Sequence, residues 1–113
     1  MKKVLIVEDS SQRQRVWKLK LDGKIEIVQA LTIKDAEFAG IEFDLIVMDC
    51  CVPGDMPNTM NLVKSIRVAG FDGPILANSS QEYFVEMLQN AGCDYGCNKD
   101  EVPQKVLEIL GVE

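Results

Sequence analysis

The chain lacks histidine altogether and has few aromatic residues. Its 113 residues contain no histidine, and Phe, Tyr and Trp together make up 6%. Without histidine there is no His-based catalytic triad, no His metal site and no phosphohistidine carrier role. The sequence also lacks any apolar run near the roughly 20 residues of a membrane span.

Basic residues are scarce as well. Lys and Arg number 12 against 18 Asp and Glu, which gives a net charge of −6. This balance argues against a nucleic-acid or membrane partner, because both are recognised by basic patches. The lysines at the N-terminus precede an apolar run, residues 4–7, that is too short for a signal peptide. We therefore expect a cytoplasmic protein.

The four cysteines predict neither disulfides nor a zinc site. They are Cys50, Cys51, Cys93 and Cys97. Structural disulfides belong mainly to secreted proteins, and these spacings do not give the paired C-x2-C knuckles of zinc sites. We expect reduced, buried thiols. A redox sensor at the adjacent pair is the alternative, although only Lys99 is expected nearby to lower a thiol pKa.

Short apolar runs alternate with amphipathic stretches along the whole chain. The predicted strands are residues 3–7, 24–29, 45–49, 74–78 and 95–98, with a helical pattern after each. Apolar strands that alternate with helices indicate a parallel sheet covered on both faces. We predict an α/β, doubly wound, flavodoxin-like (βα)5 fold with strand order 2-1-3-4-5.

Capping signals predict where the first two helices begin. Ser10 or Ser11 caps the first helix, whose inner face we expect to carry Val16 and Leu19. Thr32 begins a second, shorter helix.

Polar residues end or directly follow four of the predicted strands. Glu8 and Asp9 follow the first, Asp49 ends the third, Ser79 follows the fourth and Lys99 follows the fifth. Parallel strands bring their carboxyl ends to one edge, so three carboxylates are expected to meet there. Their repulsion calls for a hard cation, and oxygen ligands favour Mg²⁺. The pattern predicts a phosphoryl site with Asp49 as nucleophile and Lys99 and Ser79 neutralising charge.

The segments that carry these residues resemble the CheY-like receiver domain of two-component response regulators. They are residues 4–10 (VLIVEDS), 44–54 (DLIVMDCCVPG), 74–79 (PILANS) and 91–99 (AGCDYGCNK). Each segment alone is a weak signal, but four in the same order, spread over the whole chain, are specific.

The resemblance implies a metal site and a phosphoacceptor. Glu8 and Asp9 match the acidic pair that holds Mg²⁺ in this family, and Asp49 matches the phosphorylated aspartate, which also binds the metal. Cys51 matches the residue whose backbone carbonyl is a metal ligand. Ser79 and Lys99 match the hydroxyl residue and the lysine that contact the phosphoryl group in the family.

Gly96 and Asp100 depart from the family pattern, and Cys51 and Gln81 occupy the two variable positions that flank the site, where they are expected to tune water access and the lifetime of the phosphoryl group. Gly96 stands where the family usually has an aromatic switch residue, and Tyr95 is expected on the opposite face of the strand. Asp100 replaces the proline that usually follows the lysine in a cis bond. A cis bond before a residue other than proline costs about 3 kcal/mol, so we expect a trans Lys99–Asp100 bond.

Taken with the resemblance, the sequence predicts a single stand-alone receiver domain over residues 1–113, with no output domain. Its expected donor is a sensor histidine kinase or a histidine phosphotransfer protein. It is expected to signal by protein–protein interaction, through the face of helix 4, strand 5 and helix 5, and not to be an enzyme beyond self-catalysed phosphotransfer and dephosphorylation. The main alternative is a receiver-fold interaction module that is not phosphorylated. A phosphohydrolase is disfavoured because Cys51 stands where such enzymes place a second Asp.

Overall fold

Strands and helices alternate from end to end in the computed structural model, which describes residues 1–113. The elements are β1 (Lys3–Val7), α1 (Ser11–Leu21), β2 (Glu26–Ala30), α2 (Ile33–Ala39), β3 (Leu45–Asp49), α3 (Met60–Val68), β4 (Ile75–Asn78), α4 (Glu82–Ala91), β5 (Tyr95–Cys97) and α5 (Val102–Leu110). A single 3₁₀ turn, Lys99–Glu101, leads into α5. No helix is both long and apolar enough to cross a bilayer.

The five strands form one parallel sheet in the order β2-β1-β3-β4-β5. This confirms the predicted fold class and strand order. The register aligns the carboxyl ends of the central strands. Val7 of β1 lies opposite Met48 of β3, and Asp49 at the end of β3 lies opposite Asn78 at the end of β4.

The sheet separates two apolar cores. One face packs against α1 and α5, and the other packs against α2, α3 and α4. Successive residues of a strand point to opposite faces, so β1, β2, β3 and β4 supply side chains to both cores. On the α1/α5 face the buried residues are Val4, Ile6, Leu45, Val47 and Leu76 from the sheet, with Trp17, Leu21, Ile25, Val102 and Val106.

Helix α1 begins where the sequence predicted, but it buries a different side. The Ser10 hydroxyl accepts a hydrogen bond from the backbone N–H of Arg13, which caps the helix. Val16 and Leu19 are 42% and 72% exposed, so their predicted inward orientation is wrong. The buried side chains are Gln14, Trp17 and Leu21. Gln14 can be buried because its amide finds backbone partners at the strand ends.

The second capping signal is confirmed. The Thr32 hydroxyl accepts from the backbone N–H of Asp35 at 3.0 Å, and α2 ends at Ala39 with Gly40 as its C-cap, whose φ of 81° suits glycine. Two strands begin later in the structure than the sequence predicted. Strand β2 runs from Glu26 to Ala30, later than predicted, and β4 begins at Ile75. All four cysteines are free thiols, and Cys50, Cys51 and Cys93 are buried as expected, whereas Cys97 is only half-buried.

Candidate functional site

The site lies where the apolar side chains on the α1/α5 face of the sheet are followed by polar ones. At the carboxyl ends of β1, β3 and β4, the next residue on that face is polar where the preceding ones are apolar. The backbone N–H of Glu8 still donates to Ala30, so the ladder continues one residue past β1. The resulting polar set is buried: Glu8 (2% exposed), Asp49 (4%) and Asn78 (0%).

The ammonium group of Lys99 joins these three side chains. It donates to Glu8 Oε1, lies 3.0 Å from Asp49 Oδ1 and lies 3.1 Å from Asn78 Oδ1. A lysine ammonium has three N–H groups, so each has an acceptor here. The same group lies 5.9 Å from the centre of the Trp17 ring. Lys99 is therefore fixed at the centre of the carboxyl edge.

A capped 3₁₀ turn presents Lys99. The Asn98 side chain accepts hydrogen bonds from the backbone N–H groups of Asp100 and Glu101, and the Glu101 carboxylate accepts from the Asn98 backbone. This reciprocal arrangement satisfies the free donors at the start of the turn. The Lys99–Asp100 bond is trans, as predicted. A capping box thus stands where the family usually has a proline.

The predicted metal ligands come together. Carboxylate oxygens of Glu8, Asp9 and Asp49 all lie within 4.8 Å of one another. Only oxygen donors are involved, which suits Mg²⁺. The carbonyl of Cys51 accepts no hydrogen bond from the protein, so it is available as a further oxygen ligand. The donor set therefore fits the cation that the sequence predicted.

Charge at this edge is unbalanced. Burial raises the pKa of Asp49, and the adjacent Lys99 only partly offsets the effect. Burial also raises the pKa of Glu8, and the charge of Asp49 adds to the increase. One lysine thus pairs with two buried carboxylates, and the nearby charge of Asp9 adds repulsion. Such perturbed groups in a cavity mark a functional site.

Side chains of the loop after β3 hold its backbone in place. The Thr59 hydroxyl, fully buried, donates to the carbonyl of Asp49 at 2.7 Å. Asn58 accepts from the backbone N–H of Val52 and donates to the carbonyl of the same residue, both at 2.8 Å. These bonds fix the path of the chain on either side of Cys51.

Ser79 lies at the site, as predicted, but its hydroxyl already has a partner. It lines the same open cavity of about 520 Å³ as Glu8, Asp49 and Lys99. Its Oγ accepts a hydrogen bond from the backbone N–H of Gln81 at 3.1 Å. The hydroxyl proton of Ser79 is still free to donate.

Sequence reasoning missed three supporting residues: Asn78, Gln14 and Thr59. The signal for Asn78 was present, since it follows Leu76 by two residues and ends a strand beside Asp49. Gln14 donates to the carbonyls of Ile6 at 2.8 Å and Glu8 at 3.2 Å. No local pattern in the sequence indicates that a glutamine on α1 reaches the end of β1.

The position of the usual aromatic switch has no room for a side chain. A Cβ on Gly96 would lie 2.3 Å from Val85 Cγ1 and 3.3 Å from Gln89 Nε2. Side chains of α4 therefore occupy the space beside β5. Tyr95, the preceding residue of β5, points to the opposite face of the strand, as expected, and is 42% exposed.

Burial disfavours the thiolate form of the two cysteines beside the site. Burial raises the pKa of Cys50 to about 12, and burial and the charge of Asp49 raise the pKa of Cys51. Reactive cysteines have a lowered pKa instead. This favours the interpretation of the pair as packing residues.

Comparison with known proteins identifies the fold. No family model and no curated protein matches the sequence. Among solved structures, the chain is similar to a two-component response regulator from Clostridium difficile, with a TM-score of 0.80 and 22% identity over 98% of this chain and 97% of that one. It is similar to a CheY-like receiver domain protein from Methanospirillum hungatei, with a TM-score of 0.80 and 22% identity over 98% and 91%.

A third solved structure is slightly closer in sequence. The chemotaxis protein CheY4 of Vibrio cholerae is 27% identical, with a TM-score of 0.76 over 98% of this chain and 97% of that one. These likenesses extend over nearly the full length of both partners. The resemblance seen in the sequence is thereby confirmed for the fold.

Proposed function

We propose that this chain, which has the fold of response regulator receiver domains, accepts a phosphoryl group on Asp49 in a Mg²⁺-dependent reaction. The observation that carries the proposal is the position of the Asp49 carboxylate. It is buried among oxygen donors suited to a divalent cation, and its Oδ1 lies 3.0 Å from the Lys99 ammonium group. The cavity beside it is open to an incoming donor.

The chemistry is a displacement at phosphorus. A carboxylate oxygen of Asp49 attacks the phosphorus of a phosphohistidine, the P–N bond breaks, and the departing imidazole takes up a proton from solvent. The product on this chain is an acyl phosphate. Lys99 pairs with an oxygen of the transferred group, and Ser79 donates its hydroxyl proton to another. Bound Mg²⁺ supplies the positive charge that this carboxylate-rich edge lacks.

The proposed donor is a sensor histidine kinase or a histidine phosphotransfer protein. The phosphohistidine must lie on such a partner, because this chain has no histidine of its own. Phosphotransfer and hydrolysis of the acyl phosphate are both self-catalysed at Asp49, without turnover of a separate substrate. The added negative charge changes the pairing of Lys99 and so the surface around it, which a downstream protein reads.

Intact-mass spectrometry after incubation with phosphoramidate and Mg²⁺ tests the proposal. We expect the native chain to gain one phosphoryl group. Asp49→Asn and a sample treated with EDTA are expected to gain none. Asp72→Asn, which removes an exposed acid away from the site, is expected to gain one as the native chain does.

One observation favours a second candidate, an interaction module with the same fold that is not phosphorylated. Gly96 is packed against Val85, so the usual aromatic switch cannot operate. Native protein that binds Mg²⁺ but gains no mass from phosphoramidate or from a phosphorylated histidine donor would support this module and contradict the phosphoacceptor.

A further inference from the structure

We propose that Asn78 is a further phosphoryl-binding residue: its side-chain N–H donates to an oxygen of the group carried by Asp49, while its side-chain oxygen holds Lys99. The inference rests on the proposed function, because it concerns the same site. It adds a residue for which the sequence pattern had assigned no role, since Ser79 was the predicted donor from this strand end.

Asn78 lies beside the acceptor carboxylate. Asp49 and Asn78 are direct partners in the β3–β4 ladder. Paired residues of parallel strands point to the same face, so the two side chains lie next to each other on the α1/α5 face. Asn78 is 0% exposed, and the only charged neighbour to which it is hydrogen-bonded is Lys99, at 3.1 Å.

The contact with Lys99 fixes the orientation of the Asn78 amide. An ammonium group only donates, so the atom of Asn78 that faces Lys99 Nζ must be the oxygen. The nitrogen, Nδ2, is then directed away from Lys99. This assignment follows from the chemistry of the pair, since oxygen and nitrogen of an amide are otherwise hard to tell apart.

The amide nitrogen of Asn78 is an unused donor. Nδ2 is buried and has no hydrogen-bond partner; the one other buried side-chain atom in this condition is Gln14 Oε1. Burying a donor without a partner is unfavourable. Asn78 bears that cost beside the acceptor, since it pairs with Asp49 in the ladder and shares the Lys99 ammonium group with it. A bound anion with several acceptor oxygens would satisfy it.

Ser79 contributes separately. It lines the cavity and keeps a free hydroxyl proton for a different oxygen of the group, whereas Asn78 lies buried next to Asp49 in the ladder. In the proposed state Asn78 makes two contacts, one with Lys99 and one with the transferred group. It therefore couples the position of the lysine to the presence of the anion.

Binding of beryllium trifluoride with Mg²⁺, a non-covalent stand-in for the phosphoryl group, tests the proposal. The chain has a single tryptophan, Trp17, next to Lys99, so its fluorescence reports on the site. We expect Asn78→Ala to weaken binding about tenfold, the equivalent of one hydrogen bond to a charged group. Asn90→Ala, an exposed amide on α4, is expected to bind as the native chain does.

A second variant separates the two contacts. Asn78→Asp keeps an oxygen for Lys99 but replaces the N–H donor with a charge that repels the anion. We expect it to weaken beryllium trifluoride binding more than Asn78→Ala, while the NMR signal of the Lys99 ammonium protons, recorded without Mg²⁺ or beryllium, persists. That signal is expected to broaden in Asn78→Ala, where Nζ loses an acceptor. A general loss of fold would alter both variants alike.

The outcomes separate this proposal from the function it rests on. If the native chain and a folded Asn78→Ala bind beryllium trifluoride equally, Asn78 is not a phosphoryl-binding residue and the phosphoacceptor role stands. If the native chain neither binds the analogue nor accepts a phosphoryl group, both proposals are overturned.

Discussion

Charged side chains at the two edges of the sheet differ in how well their charges are balanced by partners. At the amino edge, Arg67 of α3 donates to the carbonyls of Phe71, Gly73 and Gly92 and to the Asp94 carboxylate. Asp94 in turn accepts from the backbone N–H of Ile75 at 2.9 Å. These groups join the starts of β4 and β5, and neither charge faces an excess of its own sign.

The carboxyl edge is organised in the opposite way. Lys99 pairs with two of the three carboxylates, Glu8 and Asp49, both of which have a raised pKa, and the amide of Asn78 has an unused donor. The same kinds of residue thus serve two purposes. Charged side chains at the amino edge hold the strands together. At the carboxyl edge the strands hold charged side chains close to one another, and a bound cation or anion would offset the resulting repulsion and the unused donor.

The largest effect is expected from removing the arginine at the amino edge. Arg67→Ala deletes five hydrogen bonds and leaves three carbonyls with fewer partners. We expect the free energy of unfolding to fall by about 3 kcal/mol, measured by urea denaturation. Mg²⁺ affinity is expected to stay unchanged, because the site lies at the other edge.

Arg67→Lys is the matched control for charge. Lysine keeps the positive charge but cannot reproduce the planar fork, so it is expected to recover less than half of the lost stability. A loss below about 1 kcal/mol in Arg67→Ala would contradict the structural role of this edge.

A smaller loss is expected where β5 meets α4. In Gly96→Ala the new methyl group would lie 2.3 Å from Val85 Cγ1, and a valine on a helix has little freedom to turn away. We expect a loss of about 2 kcal/mol in thermal or urea unfolding. Val85→Ala in the same chain is expected to restore most of it, as a double-mutant cycle would show. Independent, additive effects would argue against this contact.

How much the sequence predicted depends on the kind of signal. Strand order and the meeting of Glu8, Asp9, Asp49 and Lys99 follow from topology, because parallel strands bring their carboxyl ends together. The inner face of α1 was predicted wrongly, because apolar residues were assumed to be buried and polar ones exposed. Gln14 is buried instead, since the strand ends offer its amide carbonyl partners that are distant in sequence.

Register explains the other omission. The pairing of Asp49 with Asn78 depends on how far β4 slides along β3, which no local pattern determines. Alternation along the strand places Asn78 on the same face as Leu76, but the level at which it meets Asp49 depends on the register. The tight packing at Gly96 is likewise a property of α4 against β5 and not of the glycine alone.

A gain in stability is expected from neutralising the acceptor. Asp49→Asn removes a carboxylate whose charge is disfavoured by burial, yet keeps an oxygen for Lys99. We expect the free energy of unfolding at neutral pH without Mg²⁺ to rise by about 1 kcal/mol. Asp94→Asn, the matched change at the amino edge, is expected to lower it by a similar amount, because Arg67 loses its charged partner. The same sign for both variants would remove the contrast between the edges.

The last effect, equal in size to that gain, is its pH dependence. A raised pKa in the folded state means that the folded chain holds the proton more tightly than the unfolded chain does. The native chain therefore loses stability relative to Asp49→Asn as the pH rises from the unfolded pKa of Asp through the folded one, and the difference vanishes at lower pH, where both forms are neutral. Urea denaturation of both chains in EDTA across this range measures it.

Mg²⁺ is expected to reverse this loss of stability with rising pH, because the cation binds the charged carboxylates of the folded state alone. With Mg²⁺ present, the native chain is expected to gain stability as the pH rises, while Asp49→Asn, which lacks one ligand, gains less. A parallel pH response of the two chains in EDTA would mean that Asp49 titrates as an ordinary surface carboxylate. The charges at the carboxyl edge would then be no less balanced than those at the amino edge, and the contrast between the two edges would be lost.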